Sequence, residues 1–309
     1  MLNKYFFLLF WLLLPCLVSQ ESKKEYTLVW SDLNGMETVS MQTSTILNER
    51  FEIQKDKPKL IRTQKVQMQY KVYHAIVGNE GDYVIVRILH KDGKIRVDAE
   101  RKFSMDIDTP EKARQASKHP DIEPYIRSLI GGFVYKINKK TGEVIGTWEL
   151  VEEEQKIDPK TKKQDVKYKK VFLGKDPQGL SSAFALLPNK SVPVGYEWNR
   201  RQMESQTEDL KFVQVLPYKG RKAAAKITRQ GTFIKNAAKV GSGEGIFYFD
   251  LEYRTTLEHV SKSVLELPVS VQDKNKTRNL LEKITTETKT ELLYTNYDLV
   301  SKNKANLPK

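Results

Sequence analysis

Between Tyr26 and Phe103 apolar and polar residues alternate with a period of two, a pattern that commits this part of the chain to a sheet. Val66, Met68, Tyr70 and Val72 alternate with Lys65, Gln67, Gln69 and Lys71, placing apolar groups on one face of a strand and polar groups on the other. A hairpin is expected next. Residues 83–90 and 94–101 flank Lys91-Asp92-Gly93, where Asp and Gly accept the positive backbone angles of a tight turn. Further strands are expected over 196–203, 210–216, 221–234, 245–253, 256–271 and 280–297. In the last of these, Leu280, Leu281, Ile284 and Leu292 could line a helix. Thr285, Thr286, Thr288, Thr290 and Thr295 favour the strand, because branching at Cβ suits a pleated surface better than a helix.

The period changes at Thr109-Pro110, where Asp108 or Thr109 can cap a helix whose first turn tolerates proline. Pro120 opens a second helical piece. Ile122, Tyr125, Ile126, Leu129 and Ile130 recur in it at three and four residues, and Gly131-Gly132 ends it. Strands resume at 133–137 and 143–150 around the turn Lys139-Lys140-Thr141-Gly142. Residues 152–170 carry alternating charge blocks and Pro159 with almost no apolar side chain, which reads as a solvated connection. A short apolar stretch at 180–187 reads as a helix before Pro188. The fold class expected is mainly β (α+β), with long-stranded antiparallel curved sheets and a few packed helices. It divides into a leader at 1–20, an N-terminal β-rich unit with a helical insertion at 21–151, a charged linker at 152–170 and a C-terminal long-stranded antiparallel unit at 171–309.

The leader has its own signature: Lys4 precedes an unbroken apolar run at 5–14, followed by Pro15, Cys16, Leu17, Val18, Ser19 and Gln20. That run is too short to span a bilayer, and no second long apolar run follows it. A signal peptide is expected, with the mature chain lacking a transmembrane segment and secreted to the periplasm or cell surface. Cys16, the sole cysteine, lies inside this leader, so disulfides and thiolate chemistry are not expected in the mature chain. Lipidation at Cys16 is disfavoured because Leu14-Pro15 lacks the small residue such processing uses. A cysteine-free exported chain fits a bacterial envelope better than a small animal extracellular module.

Catalysis finds little support. His74, His90, His119 and His259 are scattered without metal-ligand spacing, and no serine sits in a G-x-S-x-G elbow. Asp106 and Asp108 could offer two carboxylates to a divalent cation, but a strand end running into a helix cap accounts for both. Gly241-Ser242-Gly243-Glu244-Gly245 has the look of a phosphate loop, yet a strand-like Ile246-Phe247-Tyr248-Phe249 follows where a helix would be needed, so the glycines read as a strand connection. The chain is not expected to be an enzyme, and no cofactor or metal is expected.

Charge is more informative. The formal net charge is +13, and an exported basic protein meets anionic lipid, acidic glycans and wall polymers. Nucleic acid is disfavoured, since export removes it and no ribonucleoprotein-type motif is present. Within 211–243 there are eight basic residues (Lys211, Lys219, Arg221, Lys222, Lys226, Arg229, Lys235 and Lys239) and no acidic one. On an extended strand Lys222 and Lys226 share one face, and Arg221 and Arg229 share the other with Ala223, Ala225 and Ile227. Aromatic residues form same-face pairs, Phe133 with Tyr135, Tyr196 with Trp198, and Phe247 with Phe249. Core packing and a lysine-guarded strand edge account for these residues; a basic, aromatic-lined groove accounts for them too. The candidate ligand-binding set is Lys219, Arg221, Lys222, Lys226, Arg229, Trp198, Phe247 and Phe249. The function expected is an exported non-enzymatic binding protein for an amphiphile or apolar ligand with an anionic group, such as an anionic lipid. The alternative is an envelope scaffold that binds protein or cell-envelope polymer without a pocket.

Two passages carry a resemblance. Leu187-Pro188-Asn189-Lys190-Ser191-Val192-Pro193-Val194-Gly195-Tyr196-Glu197-Trp198 and Gly241-x-Gly243-x-Gly245 leading into Phe247-x-Phe249-Asp250 resemble an uncharacterised family of exported bacterial proteins common among planctomycetes. That resemblance implies a secreted β-rich protein and supplies no catalytic residue. The long strands and helical insertion are also similar in architecture to the curved half-barrels of periplasmic lipoprotein carriers, a similarity of fold alone.

Overall fold

The computed structural model describes residues 24–54, 57–99, 102–108, 112, 115–116, 118, 131–141, 143–152, 168–174, 187–203, 206–235, 238–273 and 276–305. In chain order the strands are β1 (Glu25–Leu28), β2 (Glu37–Gln54), β3 (Lys57–Glu80), β4 (Tyr83–Asp98), β5 (Phe103–Ile107), β6 (Gly131–Asn138), β7 (Val144–Glu152), β8 (Tyr168–Gly174), β9 (Lys190–Pro193), β10 (Glu197–Met203), β11 (Gln206–Tyr218), β12 (Arg221–Lys235), β13 (Ala238–Asp250), β14 (Thr255–Asp273) and β15 (Lys276–Thr295). One α-helix lies wholly among the described residues, α1 (Tyr297–Ala305). The leader, the expected helix at 120–130, the expected helix at 180–186 and 153–167 of the charged linker lie outside the described residues; of the helix expected after Thr109-Pro110 only Lys112, Gln115, Ala116 and Lys118 are described, and the first three are helical.

Thirteen strands form one antiparallel curved sheet in the order β10-β11-β12-β13-β14-β15-β2-β3-β4-β6-β7-β8, with β5 paired to β4 beside this path. The fold is therefore mainly β, as the alternation demanded. β2 pairs with β15, from Leu280 opposite Glu52 to Thr295 opposite Thr38, so the first long strand lies against the last at the middle of the sheet. β1 and β9 form a separate two-stranded ribbon.

Several local expectations are corrected. The Lys91-Asp92-Gly93 segment is not a hairpin turn: β4 runs through it, and Gln69 faces Lys94 while Lys71 faces Lys91, leaving Asp92 and Gly93 bulged opposite Tyr70. β3, at 24 residues, is long enough to pair with all of β4, so nothing forces the chain to reverse there. Asp92 takes the positive φ of 54° that such a bulge uses, and its carboxylate accepts a hydrogen bond from Lys71 at 2.8 Å. At the bulge the outer neighbour of β4 changes from β6 to β5. Gly131 and Gly132, expected to end the preceding segment, are the first two residues of β6. A Cβ on Gly132 would stand 2.6 Å from Leu89, so close strand packing explains the glycine. The 241–245 glycines lie inside β13, with Gly231 opposite Gly243, rather than connecting two strands.

Apolar side chains form two separate cores. One joins Val66, Met68, Tyr70 and Val72 of β3 to Val84, Val86, Ile88, Ile95 and Val97 of β4 and to Phe133, Tyr135 and Ile137 of β6. The other gathers Leu210, Phe212, Ala225, Ile227, Phe247 and Phe249 from β11 to β13 under Leu28 and Val192 of the β1–β9 ribbon. β14 and β15, which lie between these groups, contribute to neither. Small and polar groups occupy the adjoining strands instead: Thr38, Ser40 and Ser44 of β2 are buried, and Ser44 Oγ lies 3.1 Å from Thr288 Oγ1 on β15.

Candidate ligand-binding cavity

Two cores separated by strands bearing short side chains leave space between them. A cavity of about 260 Å³ opens there, at the end of the sheet where β2 begins and β3 ends. Val72, Ile76, Val84, Val86 and Ile137 line it from one core and Phe247 from the other. Thr38, Ser40 and Gln42 of β2, Thr255 and Thr256 of β14 and Thr290 of β15 form the part between.

The chain between β1 and β2 straps this end. Ser31 N–H donates to the Arg254 carbonyl at 3.1 Å on one side. On the other side Asn79 Nδ2 donates to the Asp32 carbonyl at 2.8 Å, and Gly35 N–H donates to the Ile76 carbonyl at 2.8 Å. Val29, Trp30 and Met36 of this strap turn apolar surface to the cavity. Trp30 is fixed edge-on to Phe249, with ring centroids 5.4 Å apart.

Two histidines line the interior, His74 on β3 and His259 on β14. Burial pushes both down to about 4, with His90 adding to the effect at His74 and the Arg229 charge at His259. Both are neutral at pH 7, so the interior offers dipoles and apolar surface without net charge. Cations stand instead among the residues from the connecting turns: Lys139 after β6, which donates to the Gly81 carbonyl at 2.9 Å and lies 3.9 Å from Asp32, and exposed Arg254 before β14. Asp32 is the one carboxylate in the lining.

Of the ligand-binding candidates singled out in the sequence, Phe247 lines this cavity. Phe249 is packed beneath Trp30, and Trp198 stacks beside Tyr196 at 5.9 Å on the edge of the second core. The basic residues are distributed. Lys219, in the two-residue turn Lys219-Gly220, pairs with Glu258 at 2.5 Å and with Glu291. Arg221 lies 3.2 Å from Asp250 and 3.9 Å over the Tyr253 ring. Asp250, only 1% exposed, also accepts from the Glu252 and Tyr253 amides at 2.9 and 3.0 Å and so shapes the β13–β14 turn. Arg229 points inward, 3.5 Å from the buried Glu208 of β11, while Lys222 is exposed and Lys226 half-buried. Each of these pairings brings an acid from another strand to a segment that contains none. Asp108, the other carboxylate of interest, accepts from Lys112 at 2.9 Å, and this bond lowers its pKa. Among the described residues no group of three or more His, Cys, Asp or Glu stands together to hold a metal ion.

Sequence reasoning missed Trp30, His74, His259, Lys139 and Arg254. A signal for the floor was present in Thr38, Ser40, Gln42 and Ser44, which alternate on β2 as a small polar face. Which face of the sheet they occupy becomes defined only by pairing with β3 and β15.

No family model matches the chain, and no curated protein does. Among solved structures it is similar to one of lipovitellin, concerned with lipid–protein interactions, at a TM-score of 0.48 and 8% identity over 86% of this chain. The chain spans 26% of the length of that lipovitellin chain. It is also similar to CymD, a monoaromatic hydrocarbon channel, at a TM-score of 0.23 and 8% identity, covering 84% of this chain and 89% of that one. The outer membrane protein OprG from Pseudomonas aeruginosa gives a TM-score of 0.20 and 3% identity, covering 86% of this chain and 99% of that one. None of the three reaches a TM-score of 0.5. Among the described residues no helix is long and apolar enough to cross a membrane.

Proposed function

We propose that this protein is an exported, non-catalytic binding protein that takes an apolar or amphiphilic ligand into the strapped cavity, with an anionic end held near Lys139 and Arg254. The observation that carries the reading is the lining itself: aliphatic and aromatic side chains from both cores, neutral histidines inside, and two cations on the connecting turns. A volume of about 260 Å³ lies near the lower end of small-ligand sites, which start at roughly 300 Å³. One acyl chain or ring system suits it better than a multi-chain lipid.

The test is titration with an apolar fluorescent dye and with a single-chain anionic amphiphile, alongside native mass spectrometry of the purified protein. One-to-one binding is expected, accompanied by quenching of Trp30. Thr290→Phe, which fills the cavity, should weaken dye binding at least about tenfold while the thermal midpoint is kept. Arg254→Glu should weaken the anionic amphiphile and spare the neutral dye. Binding unchanged by Thr290→Phe would remove the cavity reading and leave an envelope scaffold as the working description.

A further inference from the structure

The far end of the sheet has a different chemistry from the strapped end. β2 and β3 form an 18- and a 24-residue hairpin pair, and β14 and β15 a 19- and a 20-residue pair. All four strands run to this end side by side through the β15–β2 pairing. Ile53, Leu60, Ile61 and Val271 are exposed there, with Leu60 and Ile61 at 48% and 46%. The register places Leu60 opposite Phe51, and Phe51 in turn opposite Leu281, while Ile53 faces Pro58. An apolar row therefore crosses three strands next to the turn. Isolated exposed aliphatic residues need no explanation, but four of them gathered around an apolar row at one end of a molecule do.

Cations surround this row. The first nine residues of β3, 57–65, contain Lys57, Lys59, Arg62 and Lys65 and no acid, and Lys57, Lys59 and Lys65 are exposed. Arg278 on β15 is also exposed, 4.0 Å from the half-buried Glu52. Aliphatic side chains interleaved with lysines match the boundary of a bilayer, where apolar groups enter the acyl region and ammonium groups remain among anionic head groups. A nucleic acid would instead be met by exposed aromatic stacking surfaces, and the exposed apolar residues at this end are aliphatic.

We propose that the β2–β3 and β14–β15 hairpin ends form a docking edge for an anionic lipid surface. Val271 lies twelve positions beyond cavity-lining His259 on β14, about 40 Å along the strand, so the docking edge and the cavity are at opposite ends of it. Docking is independent of what the cavity binds.

The test is co-sedimentation of the full mature chain with vesicles of phosphatidylcholine alone and of phosphatidylcholine mixed with phosphatidylglycerol. Binding is expected only to the anionic vesicles, and it should weaken as salt rises. The uncharged double variant Leu60→Ser with Ile61→Ser, and separately Lys57→Glu with Lys59→Glu, should each reduce it at least about tenfold. Leu299→Ser, on exposed helix α1, and the cavity-filling Thr290→Phe should leave it unchanged. All four variants lie outside the two cores, and matching circular dichroism spectra check their folding. Absence of vesicle binding, or binding untouched by either tip variant, overturns the proposal; so does loss on charge reversal without loss on Leu60→Ser with Ile61→Ser.

Discussion

His74 and His259 make the cavity a liability in acid. Each is held near 4 in the folded chain against an ordinary value of 6.5, so the unfolded chain takes up these protons first as pH falls. Stability is complete above pH 6.5 and is lost progressively down to about 4, by on the order of 3 kcal/mol per histidine. Urea midpoints should be flat above pH 7 and fall between 6.5 and 4, and His74→Gln with His259→Gln should flatten that fall. An unchanged slope in the double variant would assign the acid sensitivity to other groups. The same scale shows what a linear reading of residues cannot reach. The acid-free run at 211–243 looks like an anion site, yet Glu197, Glu208, Asp250, Glu258 and Glu291 come to Lys211, Arg229, Arg221 and Lys219 from other strands of the sheet. Register, which sequence spacing does not encode, decides which charges meet.

At the scale of elements, β3 was legible because Val66, Met68, Tyr70 and Val72 all turn into one core, as their alternation requires. The threonine-rich β15 was legible for the same reason of backbone preference. Asp92-Gly93 misled because the backbone angles that serve a turn also serve a bulge, and the choice rests on the length of β3. The 241–245 glycines misled in the opposite sense: they signal close strand approach. A Cβ at Gly241 would lie 2.3 Å from the Val264 carbonyl oxygen, whereas one at Gly231 meets nothing closer than 3.8 Å. Gly241→Ala should therefore lower unfolding free energy by about 1–3 kcal/mol, and Gly231→Ala should change it by less than about 1 kcal/mol. Chemical denaturation of the two variants compares them directly, and equal effects would count against the tight β13–β14 packing.

The molecule as a whole is assembled from segments distant in sequence, which is why the cavity escaped a reading along the chain. Its lining joins Trp30, His74, Ile137, Phe247 and His259. Three strand pairings, β15 with β2, β7 with β8 and β1 with β9, cross between residues 24–152 and 168–305. Produced as two chains divided at residue 152, the halves should associate one to one and recover dye binding, while each alone should self-associate through its open strand edge. Light scattering and gel filtration of the separate and mixed halves measure this, and two stable, non-interacting monomers would contradict it. Meeting at the centre of the sheet, Arg50 and Glu282 are linked across 232 positions of sequence. A ribosome completes β2 long before it supplies the partner of that strand, so for most of synthesis an 18-residue edge has no β15 to cover it. Completion of the sheet therefore awaits β15, and until then the open edge of β2 is exposed to mispairing.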